Sequence, residues 1–250
     1  MRRPVLSAMF SVMLLASILG RYVTVAAQNA LKTATFTDPR RLGIRDRPQY
    51  VAVAFHDVVD KGSTGDQYAV TARNLVSFFE WLKANRWTAI TLDDIKLARS
   101  GARPLPDHAV LITFDDGYRS LYTTVYPLLL AYKIPIVSSL VGRWMEGPKR
   151  ETTKTGDDFV PGTDALISWE QAREMAQSGL VEFASHSYDL HRSDRANPQG
   201  GEQPAATTQL FDPVGGYETE DAYRKRVRAD LERSRSLMER ELGRSPRALT

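Results

Sequence analysis

A short apolar run at residues 110–112 (Val-Leu-Ile) leads directly into residues 113–117, Thr-Phe-Asp-Asp-Gly. An uninterrupted apolar run of this length is typical of a fully buried strand. In parallel α/β sheets and barrels, the carboxyl ends of the strands carry the chemistry. Two adjacent anions repel each other, so Asp115 and Asp116 favour a cation or a shared proton. The alternative is that they cap the following helix, as Asp commonly does.

A second acidic doublet, Asp93-Asp94, provides an internal comparison. It follows Thr91, which can act as a helix N-cap, and acids in a first helical turn complement the helix macrodipole. No buried strand precedes this pair. We therefore predict that Asp93 and Asp94 are structural and that Asp115 and Asp116 are functional.

Strand-like and helix-like segments alternate along residues 50–250. Such alternation predicts an α/β fold with a parallel sheet or a (β/α) barrel. In the last helix, Arg226–Asp230 and Arg228–Glu232 are expected as i,i+4 pairs on a solvated face. The Pro/Gly-rich segment 192–216 is expected to be a mobile loop. The predicted strands are 50–55, 88–91, 110–112, 134–141 and 180–184, and the predicted helices are 71–86, one beginning at 93, 118–133, 169–177 and 218–242.

Three of the four histidines, His56, His186 and His191, follow predicted strands. His108 precedes its strand, so it lies at the opposite end and receives no role. A histidine near an apolar strand is often a satisfied core residue. However, two imidazoles and one carboxylate with open coordination positions form a catalytic site for a divalent metal. A second carboxylate beside them can act as a base on water.

The N-terminus has the pattern of a secretory signal peptide. Arg2 and Arg3 precede an apolar run at residues 5–19, and small residues end at Ala27. We predict a signal peptide at 1–27, since the run is shorter than the ~20 residues of a membrane-spanning helix. A polar N-terminal arm follows at 28–49. The chain has no cysteine, which excludes disulfides, thiolate metal ligands and a lipoprotein anchor. We expect a periplasmic or secreted product.

The formal net charge of +3 belongs to this leader. Residues 1–27 contain three arginines and no acidic residue, so their removal takes the formal charge to zero. A basic surface is the electrostatic signature of a nucleic-acid-binding protein. We therefore expect no nucleic-acid partner.

The string at residues 113–117, together with Ser-His-Ser at 185–187 and His191, resembles the NodB-type polysaccharide deacetylases, carbohydrate esterase family 4. Phe-His-Asp-Val at 55–58 and the five-position spacing of the two later histidines resemble the branch that acts on the biofilm exopolysaccharide poly-β-1,6-N-acetyl-D-glucosamine. The likeness spans residues 50–250. It implies a polysaccharide deacetylase domain there, folded as a distorted (β/α) barrel.

The resemblance also implies a role for each candidate residue. Asp116, His186 and His191 would hold a divalent metal ion, which could be zinc, iron, nickel or cobalt. Asp115 would be the general base that deprotonates the attacking water, and His56 the general acid that protonates the leaving amine. The substrate would be an N-acetylglucosamine polymer, and outer-membrane export machinery is the implied partner.

Relatives of this branch continue into another strand and a Pro/aromatic motif after residues 246–250, so we expect a barrel that is incomplete at its C-terminus.

Three alternative functions follow from the sequence. A domain with such an incomplete barrel could be a non-catalytic glycan-binding remnant. It could also be a peptidoglycan or chitin deacetylase. An iron oxygenase with two histidines and one carboxylate is disfavoured, because those sites normally lie on double-stranded β-helices.

Overall fold

The computed structural model describes residues 49–59, 69–147, 153–155 and 158–250. The predicted signal peptide, and the N-terminal arm apart from Gln49, lie outside the described residues. Within the described ranges, no helix combines the length and hydropathy required to cross a membrane.

The described residues form strands and helices that alternate along most of the chain. The strands are β1 (Val51–Phe55), β2 (Val58–Val59), β3 (Val70–Thr71), β4 (Thr88–Ala89), β5 (Ala109–Phe114), β6 (Ile136–Leu140), β7 (Thr153–Thr155), β8 (Asp158–Val160), β9 (Val181–Ser185), β10 (Ser193–Arg195), β11 (Glu202–Pro204), β12 (Phe211–Asp212) and β13 (Gly216–Tyr217). The helices are α1 (Ala72–Ala84), α2 (Leu92–Arg99), α3 (Tyr126–Tyr132), α4 (Gly142–Met145), α5 (Trp169–Gln177) and α6 (Glu220–Leu242), with a π-helix at Leu121–Val125 and a 3₁₀ turn at Thr163–Ala165.

A parallel sheet of five strands organises the fold, as the alternation predicts. β1 pairs with β5 along its whole length, from Val51 opposite Val110 to Phe55 opposite Phe114. Two strands pair with the opposite edge of β5. β4 pairs with its first residues, and β6 pairs with its last residues. β6 then pairs with β9. Since all four pairings are parallel, the carboxyl ends of these strands lie at the same edge of the sheet.

Strand β5 is buried at all six residues because apolar groups cover both faces of the sheet. Val110, Ile112 and Phe114 join the main core, which contains Leu75 and Phe79 from α1. Ala109 and Leu111 face a second apolar cluster on the other side. This two-sided burial explains why the strand reads as a continuous apolar run without alternation.

The helix boundaries follow local capping chemistry. Thr71 and Ser168 cap α1 and α5 through hydrogen bonds from the backbone N–H groups three residues later. At α2, the Thr91 hydroxyl accepts from Asp94 N, and the Asp94 carboxylate accepts from Thr91 N. Asp93 forms an ion pair with Arg247. The structural interpretation of the Asp93-Asp94 doublet is confirmed.

The structure differs from the expectation in three segments. The helix expected at 118–133 begins as a π-helix and becomes α3 at Tyr126, next to Pro127. The expected loop 192–216 contains two short antiparallel hairpins, β10–β11 and β12–β13. The expected pair Arg226–Asp230 is wrong, because Arg226 binds Glu218 and Asp230 binds backbone N–H groups near the histidines.

Residues 248–250 extend the sheet beyond β9. Leu249 is the parallel partner of Ser185, with hydrogen bonds from Ser185 N to Ala248 O (3.0 Å) and from Thr250 N to Ser185 O (3.1 Å). Among the described residues, this segment and β1 form the two edges of the path, so the sheet is open between them.

Candidate metal centre and neighbouring catalytic groups

Polar residues follow three of the sheet strands at the same edge. His56 follows β1, Asp115 and Asp116 follow β5, and His186 follows β9. Asp115 N donates a 2.8 Å hydrogen bond to Phe55 O, which continues the β1–β5 pairing by one residue. The sheet register therefore places the His56 position beside the Asp115 position. His108 lies at the opposite end, stacked on Trp87.

The backbone turns sharply at the second aspartate. Asp116 has φ +76° and Gly117 has φ +80°, so two consecutive residues adopt the left-handed region. This conformation costs a non-glycine residue about 1–3 kcal/mol and is concentrated at functional sites. A Cβ at Gly117 would lie 2.7 Å from Leu140 Cδ2, so any larger residue would have to displace the buried Leu140 side chain as well as adopt a positive φ. The turn fixes the direction of the Asp116 side chain.

Asp116, His186 and His191 bring three potential ligand atoms within 4.8 Å of one another. Nε2 of His186 lies 3.6 Å from Asp116 Oδ1, and Nε2 of His191 lies 3.5 Å from the same oxygen. Two ligand atoms about 2.1 Å from one ion at a tetrahedral angle are about 3.4 Å apart. The donor set and its spacing therefore fit a divalent metal ion.

The burial of the three groups decreases across the site. The Asp116 side chain is 5% exposed, that of His186 15% and that of His191 38%. The site is thus closed on the side of the carboxylate and open to solvent on the side of His191. A catalytic metal site requires such an open side, because substrate and water must reach the ion.

The tautomer of His186 suits metal binding. Its Nδ1 lies 2.6 Å from Thr250 O, and a carbonyl oxygen can only accept, so Nδ1 carries the proton and Nε2 presents its lone pair. Such a hydrogen bond on the far ring nitrogen is the usual orienting contact of a metal-binding histidine. Burial lowers the pKa of His186, and the charge of His191 lowers it further. Both effects favour the neutral imidazole.

Asp115 is held by hydroxyl groups from two neighbouring segments. Ser139 Oγ, at the end of β6, donates a 2.6 Å hydrogen bond to Asp115 Oδ1. Thr250 Oγ1 donates to the same oxygen at 3.3 Å. Both Asp115 and Ser139 are buried. Sequence reasoning missed Ser139, for which the available signal was a serine pair inside an otherwise apolar strand.

His56 lies at the same edge and belongs to a loop that is fastened to the turn after β5. Ser120 Oγ donates a 2.6 Å hydrogen bond to Asp57 Oδ1 and accepts a 3.1 Å hydrogen bond from Val58 N. The charge of His56 reaches His186 and contributes to its lowered pKa. The sequence-predicted residues thus come together at one edge of the sheet.

Comparisons with known proteins agree with this geometry. A family model described as polysaccharide deacetylase matches residues 102–250. The poly-β-1,6-N-acetyl-D-glucosamine N-deacetylase of Escherichia coli K12 is 37% identical over 182 residues, which are 72% of this chain and 27% of that protein. The Staphylococcus aureus (strain N315) protein of the same name is 29% identical over 130 residues, 52% of this chain and 41% of that protein. This chain thus matches less than half the length of each of these two relatives.

Two solved structures share the fold. The de-N-acetylase of Aggregatibacter actinomycetemcomitans superposes with a TM-score of 0.74 at 35% identity, over 80% of this chain and 78% of that chain. The deacetylase domain of BpsB from Bordetella bronchiseptica gives 0.70 at 42% identity, with the same coverage. Each superposition covers 80% of this chain, so the similarity includes the sheet and the helices as well as the candidate metal site. Together with the family match over more than half of the chain, these similarities show that the chain belongs to the polysaccharide deacetylase family.

Proposed function

We propose that this chain is a metal-dependent hydrolase that removes N-acetyl groups from poly-β-1,6-N-acetyl-D-glucosamine. The observation that carries the proposal is the convergence of Asp116, His186 and His191 beside a second, buried carboxylate, Asp115. Three ligands with an open side provide a metal site, and the additional carboxylate provides a base. The names of the two curated relatives support the substrate.

The chain's own residues supply the proton transfers of amide hydrolysis. Asp115 accepts a proton from the water whose oxygen attacks the acetamide carbonyl carbon. Ser139 fixes the orientation of the Asp115 carboxylate through its 2.6 Å hydrogen bond. His56 donates a proton to the sugar nitrogen as the C–N bond breaks, so acetate and a free amine leave. A divalent ion held by Asp116, His186 and His191 would lower the pKa of water and polarise the carbonyl oxygen.

The setting of the reaction belongs to the same proposal. The signal-peptide pattern at 1–27 supports the proposal that the product is exported to the periplasm or out of the cell. A polymer that is deacetylated there is on its way out of the cell. We therefore propose outer-membrane export machinery as the partner. Zinc, iron, nickel and cobalt all accept two imidazoles and a carboxylate, and we propose that one of these is the resident ion.

Substrate profiling tests the proposed linkage. Acetate release is measured with defined β-1,6 and β-1,4 N-acetylglucosamine oligomers and with peptidoglycan fragments, each at equal acetyl concentration. The proposal predicts the highest kcat/KM on the β-1,6 oligomers. Faster release from β-1,4 oligomers or from peptidoglycan would assign the chain to chitin or cell-wall deacetylation. Binding without acetate release would make it a glycan-binding module.

A further inference from the structure

The segment between the two histidine ligands, residues 187–190, is fastened to helix α6 by one carboxylate. Asp230 Oδ1 accepts a 2.7 Å hydrogen bond from Tyr188 N, and Asp230 Oδ2 accepts a 2.8 Å hydrogen bond from Asp189 N. A carboxylate accepts through both oxygens and donates through neither, so it matches two adjacent N–H groups. Hydrogen bonds to an ionised acceptor are stronger than neutral ones.

Two more residues of α6 contact this segment and the end of the strand before it. The guanidinium carbon of Arg233 lies 3.7 Å from the centre of the Tyr188 ring. Ser234 Oγ lies 2.7 Å from Ser185 Oγ, at the end of β9. Positions 230, 233 and 234 are spaced i, i+3 and i+4, which puts them on one face of the helix.

The opposite side of the segment is held by α4. Gly142 N donates to Ser187 O at 3.1 Å, and Arg143 N donates to Tyr188 O at 2.7 Å. A Cβ at Gly142 would lie 2.7 Å from Tyr188 Cδ2 and 3.3 Å from Tyr188 Cα, so a side chain at this position would collide with the segment. Two carbonyl groups of the segment thus bind α4, and two of its N–H groups bind Asp230.

The segment requires this support because its backbone is strained. Ser187 has φ +65°, a conformation that costs a non-glycine residue about 1–3 kcal/mol and persists only when its surroundings enforce it. The segment is flanked on each side by a proposed metal ligand, His186 before it and His191 after it. A rotation of its backbone would therefore turn the rings of His186 and His191, whose centroids are 4.8 Å apart.

We propose that Asp230 is a positioning residue for the metal ligands. By binding Tyr188 N and Asp189 N, its carboxylate holds both imidazoles in the directions in which their Nε2 atoms converge on Asp116. The ligand geometry is then formed before a metal ion arrives. This inference rests on the metal site of the proposed function, and it concerns metal binding rather than the identity of the glycan.

The test is the Asp230→Asn variant, in which an amide N–H group replaces one acceptor and faces a backbone donor. Co²⁺ affinity is measured in competition with a chromophoric chelator, together with the visible absorption of the bound ion. We expect a 10- to 100-fold weaker affinity, the usual effect of losing an outer contact of a metal ligand, and an altered absorption spectrum.

Two controls separate positioning from general effects. Glu232→Gln removes a charge from the same helix at an exposed position. Met238→Ala weakens the main core, which includes none of residues 186–191. Both should bind Co²⁺ with wild-type affinity and spectrum.

Wild-type Co²⁺ affinity in Asp230→Asn would overturn the inference. An equal loss in Met238→Ala would also overturn it, since general destabilisation would then explain the effect. A wild-type protein that binds no Co²⁺ would overturn the metal-dependent function itself and this inference with it.

Discussion

Ser120 and Asp57 join the loop that carries His56 to the turn that follows the two aspartates, through a 2.6 Å hydrogen bond. The two residues are 63 positions apart in the chain, and the Ser120 hydroxyl also accepts from Val58 N. One hydroxyl thus fastens the segment that carries the proposed acid to the turn that follows the proposed base. An enzyme that transfers protons at both ends of one amide requires a constant spacing between these two groups.

Ser120→Ala should lower kcat without changing the metal content. The loop loses one hydrogen bond to a carboxylate, and a small displacement of a catalytic group costs about 10- to 100-fold in rate. His56→Ala defines the rate that remains without the proposed acid. Thr123→Ala, an exposed hydroxyl in the adjacent helical turn, is the matched control and should keep the full rate. If Ser120→Ala also has the full kcat, the fastening has no catalytic role.

Asp115→Asn and Asp116→Asn should lose different properties, turnover in the first variant and metal affinity in the second. Asp115 is proposed as the base, so its variant should bind metal normally and lose about 10²–10⁴-fold in kcat. Asp116 is proposed as a ligand, so its variant should lose metal affinity. Elemental analysis of the dialysed proteins distinguishes the two. Equal metal content in both variants would refute this division of roles.

Gly117→Ala should destabilise the protein more than Gly101→Ala. Both glycines have positive φ, so both variants acquire a left-handed alanine. Only at Gly117 does the new methyl group meet a neighbour, Leu140 Cδ2 at 2.7 Å, whereas the space around Gly101 is open. Overpacking of a core costs about 1–3 kcal/mol, so the free energies of unfolding in urea should differ by that amount. Equal losses would show that Leu140 moves aside without cost.

The Glu218–Arg226 pair should make stability depend on pH. Its hydrogen bonds from Arg226 lower the pKa of Glu218 below its ordinary value of 4.5. A carboxyl group whose pKa is depressed in the folded state stabilises the fold above its unfolded pKa. That contribution is lost as the pH falls through the folded pKa. Arg226 also donates to the carbonyl groups of Ala205 and Thr208, so the pair fastens the segment before α6.

Glu218→Gln should therefore lose about 1.5–3 kcal/mol at pH 7, the range for hydrogen bonds to charged groups. The difference from wild type should shrink in acid, as measured by urea unfolding from pH 7 to pH 3. Glu220→Gln is the control, because its ion pair with Arg224 is mostly exposed and such pairs contribute about 0–1 kcal/mol. A difference that stays constant with pH would contradict the electrostatic explanation.

The positions of the main site residues could be predicted from the sequence because parallel strands align their carboxyl ends. The buried strand before Asp115 and the strand before His186 were readable as apolar runs, and the helix caps at Thr71 and Thr91 follow local rules. Such short-range patterns require no knowledge of the tertiary structure. Residue type and position also marked the two histidines and the Asp115-Asp116 pair as candidates, but the choice of Asp116 as the proposed ligand came from the family resemblance.

The residues that support the site could not be predicted in the same way. Ser139, Ser120 and Asp230 act on groups 24, 63 and about 40 positions away. The serine pair in an apolar strand marks Ser139 as unusual but does not indicate its partner, and no local pattern marks Ser120 or Asp230. For Asp230, the helical i,i+4 rule suggested Arg226 as its partner. In the folded chain Arg226 is instead held by Glu218 and by the carbonyl groups of Ala205 and Thr208, and the Asp230 carboxylate accepts from Tyr188 N and Asp189 N.

The central claim is that a metal ion at Asp116, His186 and His191 enables N-deacetylation. The most direct test is acetate release from a β-1,6-linked N-acetylglucosamine oligomer by chelator-treated protein, measured before and after titration with a divalent metal. The account predicts loss of activity on chelation and recovery that saturates at one equivalent. Undiminished acetate release from protein shown by elemental analysis to be metal-free would contradict it.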